Sequence, residues 1–312
     1  MIAFVFPGQG AQKVGMGRSL SDLFPVCRDT FAEADDALGE SLSTLCFDGP
    51  EERLLLTENT QPAILAASVA VLRLVESRGF QASFAAGHSL GEYSAHVAAG
   101  TLSFADALRT VRRRGQYMQE AVPVGTGAMA AIPGLDADGV ARACIQAQDQ
   151  MPGQVVTPAN LNAPGQVVIA GHAAAVARAG ECARALGAKR AIPLAVSAPF
   201  HCPLMKPAEE RLAPELRALE ARDPRIPVVA NFDAEPKRDR AAAIEALIRQ
   251  VSSPVRWEDL VRRLIADGTR TFLELGPGTV LAGLIKKIDR SVTVMSVENE
   301  DGLAALDALP RG

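Results

Sequence analysis

The stretch Ala85-Ala86-Gly87-His88-Ser89-Leu90-Gly91-Glu92-Tyr93-Ser94 constrains this chain more than any other. It reads as a strand that ends in a sharp turn and restarts as a helix, with a serine at the apex. Two glycines let the backbone close tightly enough to present the Ser89 oxygen at a helix N-terminus, the nucleophile-elbow pattern of α/β folds. A Gly-x-Ser-x-Gly arises readily by chance, so its weight comes from the strand before it and the helix after it.

Composition narrows what that serine can serve. The chain has 312 residues, 48% of them hydrophobic but only 4% aromatic, so its core is built mainly from Ala, Leu and Val. A net charge of -4 gives no basic excess with which to displace counterions from phosphates, which argues against a nucleic-acid partner. Cys27, Cys46, Cys144, Cys182 and Cys202 are scattered and form no Cys-x-x-Cys pair, as expected of free thiols in a reducing compartment. Met1 to Pro7 has no basic region and too short an apolar run for a signal peptide. The apolar run from Pro62 to Leu72 is closed by Arg73 and Glu76, well short of a membrane span. The expectation is a cytoplasmic protein with no membrane partner.

Taken in order, Ile2 to Phe6 reads as a buried strand emptying into Pro7-Gly8-Gln9-Gly10-Ala11-Gln12. This loop is not a phosphate loop. Lys13 stands where the dinucleotide fingerprint needs its third glycine, and Met16-Gly17 stands where a Walker motif needs Lys-Ser/Thr. Helical spacing covers 24–38, 61–79 and 90–99. Ser103 then caps a helix whose buried stripe is Phe104, Leu108, Val111, Gly115, Met118 and Val122. Arg113 falls opposite that stripe; Arg112 and Arg114 flank it, and periodicity does not choose between them.

Strand-like segments at 127–132, 154–160, 165–170 and 189–194, with helices at 136–146 and 173–186, give the order βαββαβ. That is the ferredoxin-like plan. We expect residues 125–197 to form a small subdomain inserted into a larger α/β unit made of 1–124 and 198–312. Beyond it, 226–231, 270–275 and 291–297 read as strands. Helices are expected at 206–220, kinked at Pro214, and at 240–251, 256–267 and 280–288.

An elbow serine needs a base and a pair of amides for the oxyanion. Of four histidines, His88 neighbours the serine but should point away from it. His96 and His172 suit packed or solvated structural positions. His201, held between Pro199 and Pro203 where the chain re-enters the large unit, is the best base. No histidine pair has ligand spacing and the cysteines do not cluster, so no metal is expected. Glu92 and Glu274 are the acids that could complete a triad, although salt links or solvated positions suit both better.

Six blocks now combine: Pro7-Gly8-Gln9-Gly10-Ala11-Gln12, Thr60-Gln61-Pro62, Gly87-His88-Ser89-Leu90-Gly91-Glu92-Tyr93, Arg114-Gly115-x-x-Met118-Gln119, Ser197-x-Pro199-Phe200-His201 and Glu274-Leu275-Gly276-Pro277-Gly278. In order and spacing, from residue 2 to about 298, the chain resembles the malonyl-CoA:acyl carrier protein transacylases of bacterial type II fatty acid synthesis. Asn160 to Gly171 belongs to the same resemblance. It implies an α/β-hydrolase-like catalytic unit with a ferredoxin-like insertion, a Ser89 nucleophile and a His201 base oriented by the backbone carbonyl of Gln250. It further implies an oxyanion hole from the amides of Gln9 and Leu90, and Arg114 as the partner of the malonyl carboxylate, which settles the arginine tie. The substrates implied are malonyl-CoA and the phosphopantetheine thiol of an acyl carrier protein met transiently by a monomer, with no cofactor.

Three other readings compete. One is a malonyltransferase of a malonate decarboxylase or polyketide system. A serine thioesterase or esterase would use water in place of the carrier thiol, but has no need of a cation in its acyl pocket. The third is a carrier-binding module without catalysis. For an acidic carrier, Lys286, Lys287 and Arg290, or Lys189 and Arg190, offer basic ground, although a merely solvated helix face explains the first cluster equally well.

Overall fold

The computed structural model describes residues 1–308; positions 309–312, the end of the expected large unit, lie outside the described residues. Ten strands occur in chain order among the described residues: β1 (Ile2–Phe6), β2 (Phe84–Gly87), β3 (Gly127–Pro133), β4 (Val156–Ala163), β5 (Gln166–His172), β6 (Ile192–Pro193), β7 (Val228–Val229), β8 (Pro236–Lys237), β9 (Thr271–Leu275) and β10 (Thr293–Val297). Two sheets share them. The larger runs β10-β9-β1-β2-β7-β8, with its first five strands parallel and β8 antiparallel at the edge. Its central strands are apolar almost end to end because helices cover both faces. Phe6 pairs with Gly87, so the loop after β1 and the elbow after β2 emerge side by side at the carboxyl edge, where open α/β sheets build their sites.

The smaller sheet, β4-β5-β3-β6, is wholly antiparallel and carries helices Ala137–Gln150 and Ala173–Ala185 on one face. With the order βαββαβ this is the ferredoxin-like arrangement, closed over its own core of Ile132, Val140, Ile169 and Val176. β4 and β5 turn at Pro164-Gly165, where Gly165 takes the positive φ of 68° that the turn requires. β4 is also stitched to the larger unit. Leu161 N donates to Val255 O at 2.9 Å and Val255 N to Ala159 O at 2.8 Å.

Some expectations shift. The strands read at 189–194 and 226–231 shrink to two residues each, β6 and β7. Pro193 and Pro227 have no N–H for a ladder, and the Asn231 N–H is committed to a side chain instead. The helix read at 61–79 starts earlier, as Thr57–Ser77, and carries Pro62 inside it. The helix Lys206–Ala218 runs on through Pro214. Short helices at Arg18–Leu23, Leu42–Asp48, Glu51–Leu54 and Glu300–Asp307 had too few residues to show a period.

Ser103 caps the helix Phe104–Glu120, its Oγ accepting from Asp106 N at 3.1 Å. That helix lies tight on Thr57–Ser77. A Cβ on Gly115 would sit 2.7 Å from Glu58 Cα and 2.8 Å from Thr57 O, so only glycine permits the approach that brings Arg114 beside Gln61.

His96 is fully buried in the small-residue helix Gly91–Ala98 and neither ring nitrogen has a partner among the described residues. Burial pushes its imidazole down to about 3. The folded state therefore keeps His96 neutral while the unfolded chain protonates it at about 6.5. Between these values the unfolded state binds more protons, so stability falls as pH drops from about 6.5 towards 3. His96→Leu is expected to stabilise the fold by about 1–3 kcal/mol and to flatten that acid slope. Urea unfolding at pH 8 and pH 5 measures both; a less stable variant with the parental slope contradicts the assignment.

Candidate active site

The elbow forms because Gly87 and Gly91 touch. A Cβ on Gly87 would lie 1.9 Å from Gly91 C, and one on Gly91 would lie 2.1 Å from Phe6 O. Ser89 itself takes a φ of 52°, the left-handed strain that an elbow nucleophile carries. Asn231, past the end of β7, splints the turn. Its Oδ1 accepts from Ser89 N at 2.7 Å and its Nδ2 donates to Gly87 O at 2.7 Å. Asn231 was not among the residues singled out from sequence, and nothing local marks it.

Ser89 Oγ lies 2.6 Å from His201 Nε2. On the other side of the ring, His201 Nδ1 lies 3.1 Å from the carbonyl of Gln250. A carbonyl only accepts, so Nδ1 carries the proton and Nε2 turns its lone pair to the serine. Burial, and then the charge of Arg114, push the His201 imidazole down to about 3, so it rests neutral. His201 also has positive φ, 59°, in the loop that Pro199 and Pro203 bracket.

Of the three consecutive arginines, Arg114 alone reaches this pair. Arg113 is exposed and pairs with Glu215 at 3.0 Å; Arg112 donates to Asn59 Oδ1 at 2.7 Å and pairs with Glu40. Arg114 is 1% exposed. Its Nη1 donates to Gln61 Oε1 at 2.8 Å, and its Nη2 to Gln250 Oε1 at 2.9 Å and to Ser89 Oγ at 3.2 Å. The guanidinium sits 5.5 Å from the Tyr93 ring centroid and forms no salt bridge among the described residues. Burial works against its charge, lowering its proton affinity. A buried cation held by neutral acceptors is a site for a planar anion.

The loop after β1 closes the site. A Cβ on Gly8 would lie 2.4 Å from His88 O, so the loop rests on the elbow. The backbone amides of Gln9 and Leu90 make no hydrogen bond among the described residues. The cleft holds about 290 Å³. Gln9, Ser89, Arg114 and His201 line it together with Met129 and Asn160 of the smaller sheet.

None of the remaining candidates contacts the Ser89–His201 pair through its side chain, although His88 also lines the cleft. His88 turns away from the serine, its Nε2 2.8 Å from Asn162 Oδ1. His172 accepts from Val155 N at 2.9 Å in the smaller sheet. Glu92 and Glu274 are neither solvated nor salt-linked, contrary to expectation, because hydrogen-bond donors rather than cations receive them. Both are fully buried. Glu274 accepts from Leu281 N and Ala282 N at 2.9 Å and from Ser296 Oγ at 2.8 Å, capping the helix Val280–Ile288. Glu92 accepts from Asn231 N at 2.9 Å and Gln250 Nε2 at 2.8 Å. Neither acid bonds to His201. Among the described residues no cluster of three His, Cys, Asp or Glu side chains is placed to hold a metal, and no helix is long and apolar enough to cross a membrane. All five cysteines are buried thiols.

The model of the acyl transferase domain family matches residues 3–303. A malonyl CoA-acyl carrier protein transacylase of Escherichia coli (strain K12) is 51% identical over 304 residues, 97% of each chain. The protein of that name from Bacillus subtilis (strain 168) is 50% identical over 300 residues, 96% of this chain and 94% of the relative. Among solved structures, an acyl carrier protein S-malonyltransferase from Vibrio cholerae superposes with a TM-score of 0.95 at 50% identity, covering 98% of this chain and 99% of that one. A malonyl-transacylase solved in complex with a type II polyketide acyl carrier protein gives a TM-score of 0.94 at 50% identity, covering 97% and 98%.

Proposed function

The chain belongs to the acyl transferase domain family, and from that premise we propose that it moves a malonyl group from malonyl-CoA to the phosphopantetheine thiol of an acyl carrier protein, supplying fatty acid synthesis. The observation that carries this is the convergence on one oxygen: Ser89 Oγ lies 2.6 Å from a neutral imidazole and 3.2 Å from a buried guanidinium that has no carboxylate partner among the described residues. A hydrolase of simple esters has no use for such a cation. An acyl group that ends in a carboxylate does.

In this reading Ser89 attacks the thioester carbonyl carbon while its proton passes to His201 Nε2. The Gln250 carbonyl, at Nδ1, orients the ring and favours the imidazolium as it forms. The amides of Gln9 and Leu90 donate to the tetrahedral oxyanion. The intermediate collapses by breaking the carbon–sulfur bond, and CoA leaves with the proton from His201. The carrier thiol then gives its proton to His201 and attacks the acyl-serine carbonyl; the carbon–oxygen bond breaks, Ser89 Oγ takes the proton back from His201 Nε2, and malonyl-carrier departs. The thioester is already activated, so the scheme calls on neither metal nor redox cofactor. It belongs in the cytoplasm, with the chain as a monomer that meets its carrier only briefly. The unit of 1–124 with 198–312 supplies the chemistry, and 125–197 part of the cleft lining.

Intact-protein mass spectrometry after mixing with malonyl-CoA tests the reading. One malonyl group should appear, mapped to Ser89 and discharged by holo-carrier; no adduct, or an adduct elsewhere, ends it. The likeness to a transacylase bound to a polyketide carrier supports a second reading, in which the carrier belongs to a polyketide system. Relative kcat/KM for the two carriers separates them. Lys286 and Lys287, in the last turn of the helix Val280–Ile288, and Arg290 just beyond it are exposed. Reversing charge at Lys286 and Lys287 should raise KM for the carrier about threefold or more while sparing KM for malonyl-CoA. Equal KM for carrier in parent and variant discards this surface.

A further inference from the structure

Among the described residues Glu92 is the one acid within the site's hydrogen-bond network, and the mechanism above does not use it. We propose that Glu92 is a positioning residue for acyl selectivity: it fixes the direction of the Gln250 side-chain amide, and through it the Arg114 guanidinium that receives the malonyl carboxylate. The proposal rests on the acyl-transfer reading and adds to it a determinant of which acyl group is preferred.

The argument is one of donors and acceptors. An amide side chain presents NH2 on one side and a carbonyl on the other, and a half-turn exchanges them at little cost unless neighbours object. Gln250 has Glu92 Oε2 at 2.8 Å and Ser89 O at 2.9 Å against its Nε2, and Arg114 Nη2 at 2.9 Å against its Oε1. Turned over, it would set its carbonyl against two acceptors and its NH2 against a cation. Glu92 is in turn held by Asn231 N at 2.9 Å, and Asn231 splints the elbow. One chain of bonds therefore joins the acid to both the serine turn and the arginine.

The relay also places the negative group one amide away from Arg114 instead of against it. A direct ion pair would occupy the guanidinium edge that the substrate needs. Burial pushes the Glu92 carboxyl up to about 7, while the bonds from Gln250 and Asn231 hold it down. Either protonation state serves. A proton has room on Oε1, which has no partner among the described residues, and Oε2 remains the acceptor.

Glu92→Met keeps the volume and removes the acceptor; Glu92→Gln keeps a carbonyl where Oε2 stands. The readout is the ratio of kcat/KM for malonyl-CoA to that for acetyl-CoA in the full chain with holo-carrier. Glu92→Met should lower this ratio about tenfold or more, the worth of a misaligned charged hydrogen bond. Glu92→Gln should stay within about threefold of the parent. Gln250→Met, which leaves the backbone carbonyl in place, should lower the ratio similarly, and adding Glu92→Met to it should lower it no further. Equal loss with both acyl groups, an unchanged ratio, additive effects of the two Met variants, or Glu92→Gln as damaged as Glu92→Met would overturn the proposal. If Glu92→Met fails to fold, Gln250→Met and Glu92→Gln decide. Absence of acylation in the parent defeats the acyl-transfer reading itself; an unaltered preference in the variants defeats this proposal alone.

Discussion

Ser89→Ala leaves a folded protein that takes up no malonyl group and exchanges none with the carrier, a loss of roughly 10⁴–10⁶ in rate on the scale of other serine nucleophiles. Alanine keeps the elbow because the strain at φ 52° is met by Gly87, Gly91 and Asn231, none of which contacts the missing hydroxyl oxygen. What disappears is the atom that sits between His201 Nε2 and Arg114 Nη2. Mass spectrometry for the adduct and carrier-dependent exchange for turnover make the check. Near-parental exchange would instead favour a carrier-binding module, with chemistry done elsewhere. Release of free malonate by the parent as fast as it loads carrier would make the protein a thioesterase.

Arg114→Ala should cut malonyl transfer by about 10²–10⁴, because two charged hydrogen bonds to a carboxylate are each worth about 1.5–3 kcal/mol. Acetyl transfer should be spared or improved. Acetyl has no carboxylate to lose a partner, and the guanidinium is the second-largest influence, after burial, holding the His201 imidazole low. Removing that charge raises the basicity of Nε2, and it frees Ser89 Oγ from the Arg114 bond at 3.2 Å. The same charge therefore has opposite effects on the two acyl groups. With malonyl bound, the substrate carboxylate offsets the arginine; with acetyl nothing does. Transfer rates for both acyl-CoA substrates provide the measurement, and an unchanged preference between them would refute the role given to Arg114.

Legibility in the sequence followed locality. The elbow and the Ser103 cap each lie within a few residues and are legible because backbone geometry dictates residue type there. Gly87 and Gly91 are required by contacts of 1.9 and 2.1 Å, which any Cβ would violate. His201 emerged by elimination among four histidines, with a proline-bracketed loop as its only positive sign. β6 and β7 were overestimated because apolar runs carry no mark of where hydrogen bonding stops. For Glu92 and Glu274 the sequence favours salt links or solvated positions, since nothing in their neighbourhood of the chain announces the hydrogen-bond donors that receive them.

The chain's own order of residues therefore determined the elbow, the α/β plan with its ferredoxin-like insertion, and a short list of chemical groups. Tertiary structure decided which of them meet. Ser89 is 112 residues from His201, 142 from Asn231 and 161 from Gln250. Arg114 was chosen over Arg112 by the family resemblance, but bringing it beside Gln61 took the close packing at Gly115, and linking Glu92 to it took the direction of one buried amide. A backbone turn is fixed by sterics between neighbours, which sequence writes down. The convergence of side chains from distant elements is fixed by how helices and strands pack, and that exists only once the core has closed.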